Sequence, residues 1–265
     1  MNRGLPAIPR RLRVWILGAF LGLTLAAQGV GAGLPEVITR IKPSIVVVGT
    51  FSRLRSPAFQ LRGTGFAVGN GLTIATNAHV LPPAVDVEGQ ETLVVLVRDG
   101  ASVRQRGVRI ETIDKDHDLA LLKLITGNPL PPLTLKAPES VREGQEIAFT
   151  GFPIGGVLGY APVTHRGVIS AVTPIVLPGG NVGELNEKSI RRLRSGSFQV
   201  FQLDATAYPG NSGGPMYDAE TGDVLGIINM VFVKSTKEAV LQHPSGISYA
   251  IPADFLIELL GRIRP

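Results

Sequence analysis

No cysteine occurs in the 265 residues of this chain. Its fold therefore holds without disulfides, and it offers no thiolate metal site. Histidine is scarce, with four residues at positions 79, 117, 165 and 243. No pair of them has the spacing of a zinc motif, so no metal and no cofactor are expected. Long apolar runs are also missing. The longest, Val14 to Ala27, falls short of the roughly 20 residues that a membrane span needs. High net charge combined with low hydrophobicity, the composition of disorder, does not describe a chain that is 44% hydrophobic.

The short apolar run has a context. Residues 1–13 carry Arg3, Arg10, Arg11 and Arg13 and no acid, and the small residues Val30 and Ala32 follow the run. A basic start, a short apolar core and a small-residue exit predict an export signal over 1–32, cleaved near Ala32. An uncleaved N-terminal anchor is the rival reading, and it would attach the chain to a membrane. The chain has 26 basic and 21 acidic side chains. Four of the basic ones lie in the signal, leaving 22 against 21. The remainder is near neutral, and nucleic-acid binding loses its electrostatic support. An exported protein without cysteine suits a bacterial periplasm or another extracytoplasmic compartment.

From Ile41 the sequence reads as short strands between turns, the pattern of an all-β fold. Candidate strands are 44–51, 63–68, 72–77, 92–100, 108–114 and 119–124, then 145–153, 165–172, 198–205, 223–232 and 247–252. Gly69, Asn70 and Gly71 form a tight-turn signal between the second and third. A proline-rich joint at 126–138 divides the chain into two β-rich halves, about 41–135 and about 141–251. Helices are few. One is expected over 35–42 and one over 252–263, with Phe255, Leu256, Leu259 and Leu260 as an apolar stripe. The polar stretch 179–197 fits neither half. Its Glu184–Lys188 and Glu187–Arg191 pairs suit an exposed helix, a lid or a sensing loop.

Chemistry concentrates in "AYPGNSGGPMYD", 207–218. A serine hydroxyl is a poor nucleophile unless a base reaches it and a third group holds that base. Ser212 has candidates for both. His79 follows a strand end in "ATNAHVL", and Asp118 directly opens the apolar run "LALLKL". Asp114 and Asp116 have polar neighbours and read as turn residues, and His117, His165 and His243 as structural or exposed. Glycines around Ser212 allow the main chain to approach a substrate closely. Gly210, Asn211 and Ser212 form the expected oxyanion-binding turn, with the N–H groups of Gly210 and Ser212 as donors.

These residues, with "GTGFAV", "GFPIGG", "GVISAV", "LDATAYPGNSGGPM" and "ISYAIPADFL", resemble a chymotrypsin-fold (trypsin-like) serine protease, and within that fold the HtrA/Deg branch. The likeness runs from about Val37 to Leu260 and includes no PDZ domain. It implies two six-stranded antiparallel β-barrels with a C-terminal helix, forming a protease domain over 33–265. It implies His79 as general base, Asp118 as orienting carboxylate and Ser212 as nucleophile of a serine endopeptidase. Its partners would be polypeptides, above all unfolded or misfolded ones in envelope quality control, and assembly as a homo-oligomer stays open. Thr206 stands where trypsin-like enzymes carry a pocket acid, and Ile228 where glutamate-specific relatives carry histidine. Both favour small or medium aliphatic side chains in the substrate pocket. Asn211 replaces the aspartate that pairs with a released N-terminus, which argues against zymogen control. Two other readings remain: a catalytically silent or chaperone-like binding module on the same fold, and membrane binding through the 188–194 basic cluster.

Overall fold

β-branched and aromatic residues carry the chain into twelve strands among the described residues. The structure, a computed structural model, describes residues 33–82, 91–100, 102–137, 141–153, 155, 159–174, 198–229 and 247–263. The expected signal, the 179–197 stretch and His243 lie outside them. The first six strands are β1 (Ile45–Phe51), β2 (Phe59–Val68), β3 (Thr73–Asn77), β4 (Thr92–Asp99), β5 (Ser102–Asp114) and β6 (Leu119–Leu124). The second six are β7 (Glu146–Gly151), β8 (Val163–Pro174), β9 (Gln199–Asp204), β10 (Pro215–Asp218), β11 (Val224–Asn229) and β12 (Ile247–Pro252). Each set closes into an antiparallel barrel, and the two share one strand order. The first runs β1-β2-β3-β6-β5-β4 and the second β7-β8-β9-β12-β11-β10. Closure removes the sheet edges that would otherwise invite pairing with other chains.

Strands along the seam are buried on both faces, so their sequences run apolar without a break. In β1, Val46 and Val48 fill the first barrel while Ile45 and Val47 join a shared core between the barrels. In β6, Ala120 and Leu122 face inward and Leu119 and Leu121 face the seam. In β7, Ile147 and Phe149 fill the second barrel and Ala148 joins the seam. Two helices close over this seam. α1 (Leu34–Ile41) contributes Val37 and Ile41, and α2 (Ala253–Gly261) contributes Leu256 and Leu259. Burying each leucine is worth about 1.5–3 kcal/mol.

Strands β2 and β5 begin earlier than expected, at Phe59 and Ser102, and three further details differ from the sequence reading. The four-residue strand β10 follows the glycine turn at Pro215 and carried no alternation to reveal it. Pro252 is the N-cap of α2 and not a residue of its first turn. The proline-rich joint clamps the two halves as well as connecting them. Leu133 N–H donates to the Ala67 carbonyl in the first barrel at 2.9 Å, and Lys136 N–H to the Val224 carbonyl in the second at 2.9 Å. Among the described residues no helix is long and apolar enough to cross a membrane.

Candidate active site

Strands β3 and β6 are neighbours, with Asn77 opposite Leu119. That register places the polar residues just beyond their ends, His79 and Asp118, side by side. A single tight turn, Ala78–Val80, carries His79. It is held by the Ala78 N–H donating to the Asp118 carbonyl at 3.0 Å, and by Asn77 Nδ2 donating to the same oxygen at 3.0 Å. From β2, Arg62 braces its far side, donating to the carbonyls of Val80 at 2.7 Å and Leu81 at 3.2 Å.

Asp118 has φ of 54°, in the left-handed region that aspartate tolerates better than most side chains. Three donors converge on its carboxylate. Oδ1 accepts the His79 backbone N–H at 2.8 Å, and Oδ2 lies 2.6 Å from His79 Nδ1. Asn229 Nδ2, from the second barrel, donates to Oδ2 at 2.7 Å. A carboxylate accepts only, so Nδ1 carries a proton, and in the neutral ring the lone pair is then on Nε2, an assignment made from the network. Asn229 was not singled out from sequence. Its signal was available, because it is a polar residue inside the apolar run "VLGIINMVFV", where a buried amide needs a partner.

Asp114 also does more than its sequence context suggests. It is buried, and it organises the turn that leads to Asp118. Oδ1 accepts the N–H groups of Asp116 and His117 at 3.1 Å each, and Oδ2 lies 2.8 Å from His117 Nδ1. Burial opposes ionisation of Asp114, but these donors outweigh it and hold the carboxyl below its ordinary range. The His117 ring stacks on Phe255 of α2 at 4.0 Å, a structural role. His165 lies within β8 and stacks on Phe149 at 4.9 Å, and burial lowers its pKa.

On the second barrel, the turn from Tyr208 to Gly214 presents Ser212, which is 7% exposed. Asn211 N–H donates to the Tyr208 carbonyl at 2.9 Å, so this amide is committed within the turn and is not directed at a substrate. Gly214 N–H donates to the Asn211 carbonyl and Gly213 N–H to the Ile228 carbonyl, both at 2.9 Å. The N–H groups of Gly210 and Ser212 have no partner among the described residues. Gly210 has φ of 104°, and a Cβ there would overlap the Phe152 carbonyl oxygen, so only glycine fits. The Asn211 side chain is 1% exposed, and neither end of its amide has a partner among the described residues.

Ties across the seam include Asn229 to Asp118, and Thr64 N–H to the Ser212 carbonyl at 2.8 Å. No hydrogen bond joins Ser212 Oγ to His79 among the described residues. Such bonds commonly tighten only when substrate binds. Thr206 is half-buried between Ala205 and Ala207, whose backbone Ser248 Oγ braces by donating to the Ala205 carbonyl at 2.7 Å and accepting the Ala207 N–H at 2.8 Å. Ile228 is fully buried in one apolar cluster with Ala205 and Ala207, directly behind the serine turn. Among the described residues no group of three or more His, Asp or Glu is placed to hold a metal ion.

Residues 63–227 match the family described as trypsin-like peptidase domain. A probable periplasmic serine endoprotease, DegP-like, from Halomonas elongata is 32% identical over 202 residues, covering 76% of this chain and 35% of that protein. Serine protease HTRA3 from Homo sapiens is 28% identical over 236 residues, covering 87% of this chain and 45% of its own length. The chain thus spans less than half the length of these curated relatives. Among solved structures, the HtrA-type protease AlgW with a tripeptide is similar with a TM-score of 0.60 and 27% identity, over 86% of this chain and 62% of that one. Deg5 is similar with a TM-score of 0.61 and 26% identity, over 84% of this chain and 90% of that one.

Proposed function

The chain belongs to the trypsin-like peptidase family, in its HtrA-like branch, and carries a serine endopeptidase domain; we propose that this domain cleaves polypeptides with His79 as general base, Asp118 as its orienting partner and Ser212 as nucleophile. The observation that carries the reading is the Asp118 carboxylate. It holds His79 by both backbone and ring, at 2.8 and 2.6 Å, and favours the neutral tautomer whose lone pair is on Nε2.

In the reaction Nε2 takes the Ser212 hydroxyl proton as Oγ bonds to the scissile carbonyl carbon. The carbonyl π pair moves to oxygen, where the unbonded N–H groups of Gly210 and Ser212 meet the developing charge. The imidazolium, steadied by Asp118, then gives its proton to the leaving nitrogen as the C–N bond breaks. Water, deprotonated by His79, hydrolyses the acyl-enzyme and restores Ser212.

Thr206 and Ile228 support a pocket for small or medium aliphatic side chains, since neither carries charge. A peptide library cleaved mainly after Lys, Arg or Glu would overturn that specificity. Asn211, neutral and buried, supports activity without an ion pair to a newly released N-terminus. Residues 1–32 support export, which together with the DegP-like relative points to extracytoplasmic work on unfolded polypeptides, with homo-oligomeric assembly open to test. The decisive experiment is labelling with a fluorophosphonate probe. Labelling that disappears in Ser212→Ala is the expected result. An unlabelled wild-type protein would overturn the enzyme reading in favour of a binding module on the same fold.

A further inference from the structure

Thr64 lies on β2 of the first barrel, 0% exposed, yet its hydrogen bonds reach into the serine turn of the second. Its backbone N–H donates to the Ser212 carbonyl at 2.8 Å. Its hydroxyl donates to the Gly210 carbonyl at 2.6 Å and accepts the Phe152 N–H at 3.2 Å. Its carbonyl in turn accepts the Thr76 hydroxyl at 2.7 Å. One side chain of the first barrel therefore ties two separate stretches of the second.

A peptide group is planar and trans, so fixing its oxygen fixes the direction of its N–H. The Gly210–Asn211 peptide is held at both ends, by Thr64 Oγ1 at its oxygen and by the Tyr208 carbonyl at its N–H. The Ser212–Gly213 peptide is also held at both ends, by Thr64 N–H and by the Ile228 carbonyl. The intervening Asn211–Ser212 peptide has its oxygen on Gly214 N–H, which directs the Ser212 N–H the opposite way. Bound and unbound N–H groups thus alternate along the turn. Those of Asn211 and Gly213 are spent within the second barrel, and those of Gly210 and Ser212 are left over among the described residues. Glycine can enter this conformation cheaply and can leave it as cheaply. The turn therefore needs a fixed point outside itself, and the Thr64 hydroxyl is the partner that the Gly210 carbonyl has among the described residues.

We propose that Thr64 is a positioning residue for the oxyanion turn: its hydroxyl, supplied by the first barrel, locks the Gly210–Asn211 peptide that lies between the two peptide groups bearing the Gly210 and Ser212 N–H, and so sets how those two N–H groups face one another. This rests on the reading of Ser212 as nucleophile. It makes docking of the two barrels a condition for transition-state stabilisation, beyond bringing His79 to Ser212.

The test compares Thr64→Val, which keeps shape and loses the hydroxyl, with Thr64→Ser, which keeps the hydroxyl. Active sites are titrated with a fluorophosphonate, so that kcat is counted per competent serine. Thr64→Val should lower kcat about 10- to 100-fold, the scale of a slight misplacement of catalytic groups, with KM within about threefold of wild type. Thr64→Ser should stay within about threefold in both. A merely structural role predicts fewer titratable sites and a lower Tm with kcat per site unchanged, and that result overturns the proposal. So does equal impairment of the Val and Ser variants. If Thr64→Val does not fold, Thr64→Cys reads the same bond through a weaker donor. Reduced kcat per site there supports the proposal and unchanged kcat overturns it. An unlabelled wild type overturns both this inference and the nucleophile reading, whereas a labelled wild type with an unaffected Thr64→Val overturns this one alone.

Discussion

Replacing Asp118 by asparagine changes one atom's chemistry and almost nothing of its shape. The wild-type carboxylate accepts three hydrogen bonds, from His79 N–H on Oδ1 and from His79 Nδ1 and Asn229 Nδ2 on Oδ2. A carboxamide has one accepting oxygen and one donating NH2, so either orientation sets a donor against a donor. The two conflicts are not equal. The backbone N–H of His79 cannot turn over, whereas a side-chain amide can adjust. The oxygen of the substituted carboxamide will therefore take the His79 N–H, and its NH2 will face Nδ1. His79 must then accept at Nδ1 and carry its proton on Nε2, the tautomer that cannot receive the Ser212 proton. The imidazolium also loses its counter-charge. The expected loss in kcat is about 10⁴-fold, or roughly 5.4 kcal/mol of transition-state stabilisation. The assay is the rate of fluorophosphonate labelling and of peptide hydrolysis near neutral pH, with circular dichroism to check the fold. A loss smaller than about tenfold in a folded Asp118→Asn variant would show that Asp118 does not set the tautomer.

Removing the second-barrel donor with Asn229→Ala should lower kcat about tenfold, the value of one hydrogen bond to a charged group; unchanged kcat would mean that Asn229 only packs. Gly210→Ala should abolish labelling and lower Tm by several degrees, because its Cβ would overlap the Phe152 carbonyl oxygen at a φ that alanine disfavours; a labelled, stable variant would contradict the turn geometry. Burial lowers the pKa of His165, so its neutral form stabilises the fold above the unfolded value of about 6.5, and that contribution fades as pH falls through the lowered native value. His165→Phe, which keeps a ring on Phe149, should therefore flatten the fall in Tm between roughly pH 7 and 5, and an unchanged acid limb in thermal melts would refute it.

Much of the site could be read from the chain because its polar residues interrupt apolar strands. Asp118 precedes "LALLKL" and His79 follows "TIATNA", and pairing of the two strands brings them together. Ser212 stood out through its glycines. The parts that escaped notice are those whose local sequence is ordinary. Thr64 reads as a β-branched strand former until its hydroxyl meets Gly210, 146 residues away. Asn229 reads as a polar residue within a candidate strand until it reaches Asp118 across 111 residues. Asp114 resembled a solvated turn acid, and only its burial beneath His117 and α2 shows the work it does in shaping that turn. Strand β10 was too short for alternation to mark it.

The sequence alone determined the two β-rich halves, the positions of His79, Asp118 and Ser212, and the glycines that let backbone approach a substrate. These follow from local rules of strand periodicity, turn chemistry and side-chain type. Tertiary structure decided which N–H groups of the serine turn are spent and which are left over, and which residues of one barrel hold the candidate catalytic groups of the other. A hydrogen bond between barrels depends on how two closed sheets dock, and no local pattern encodes the partner at the far end.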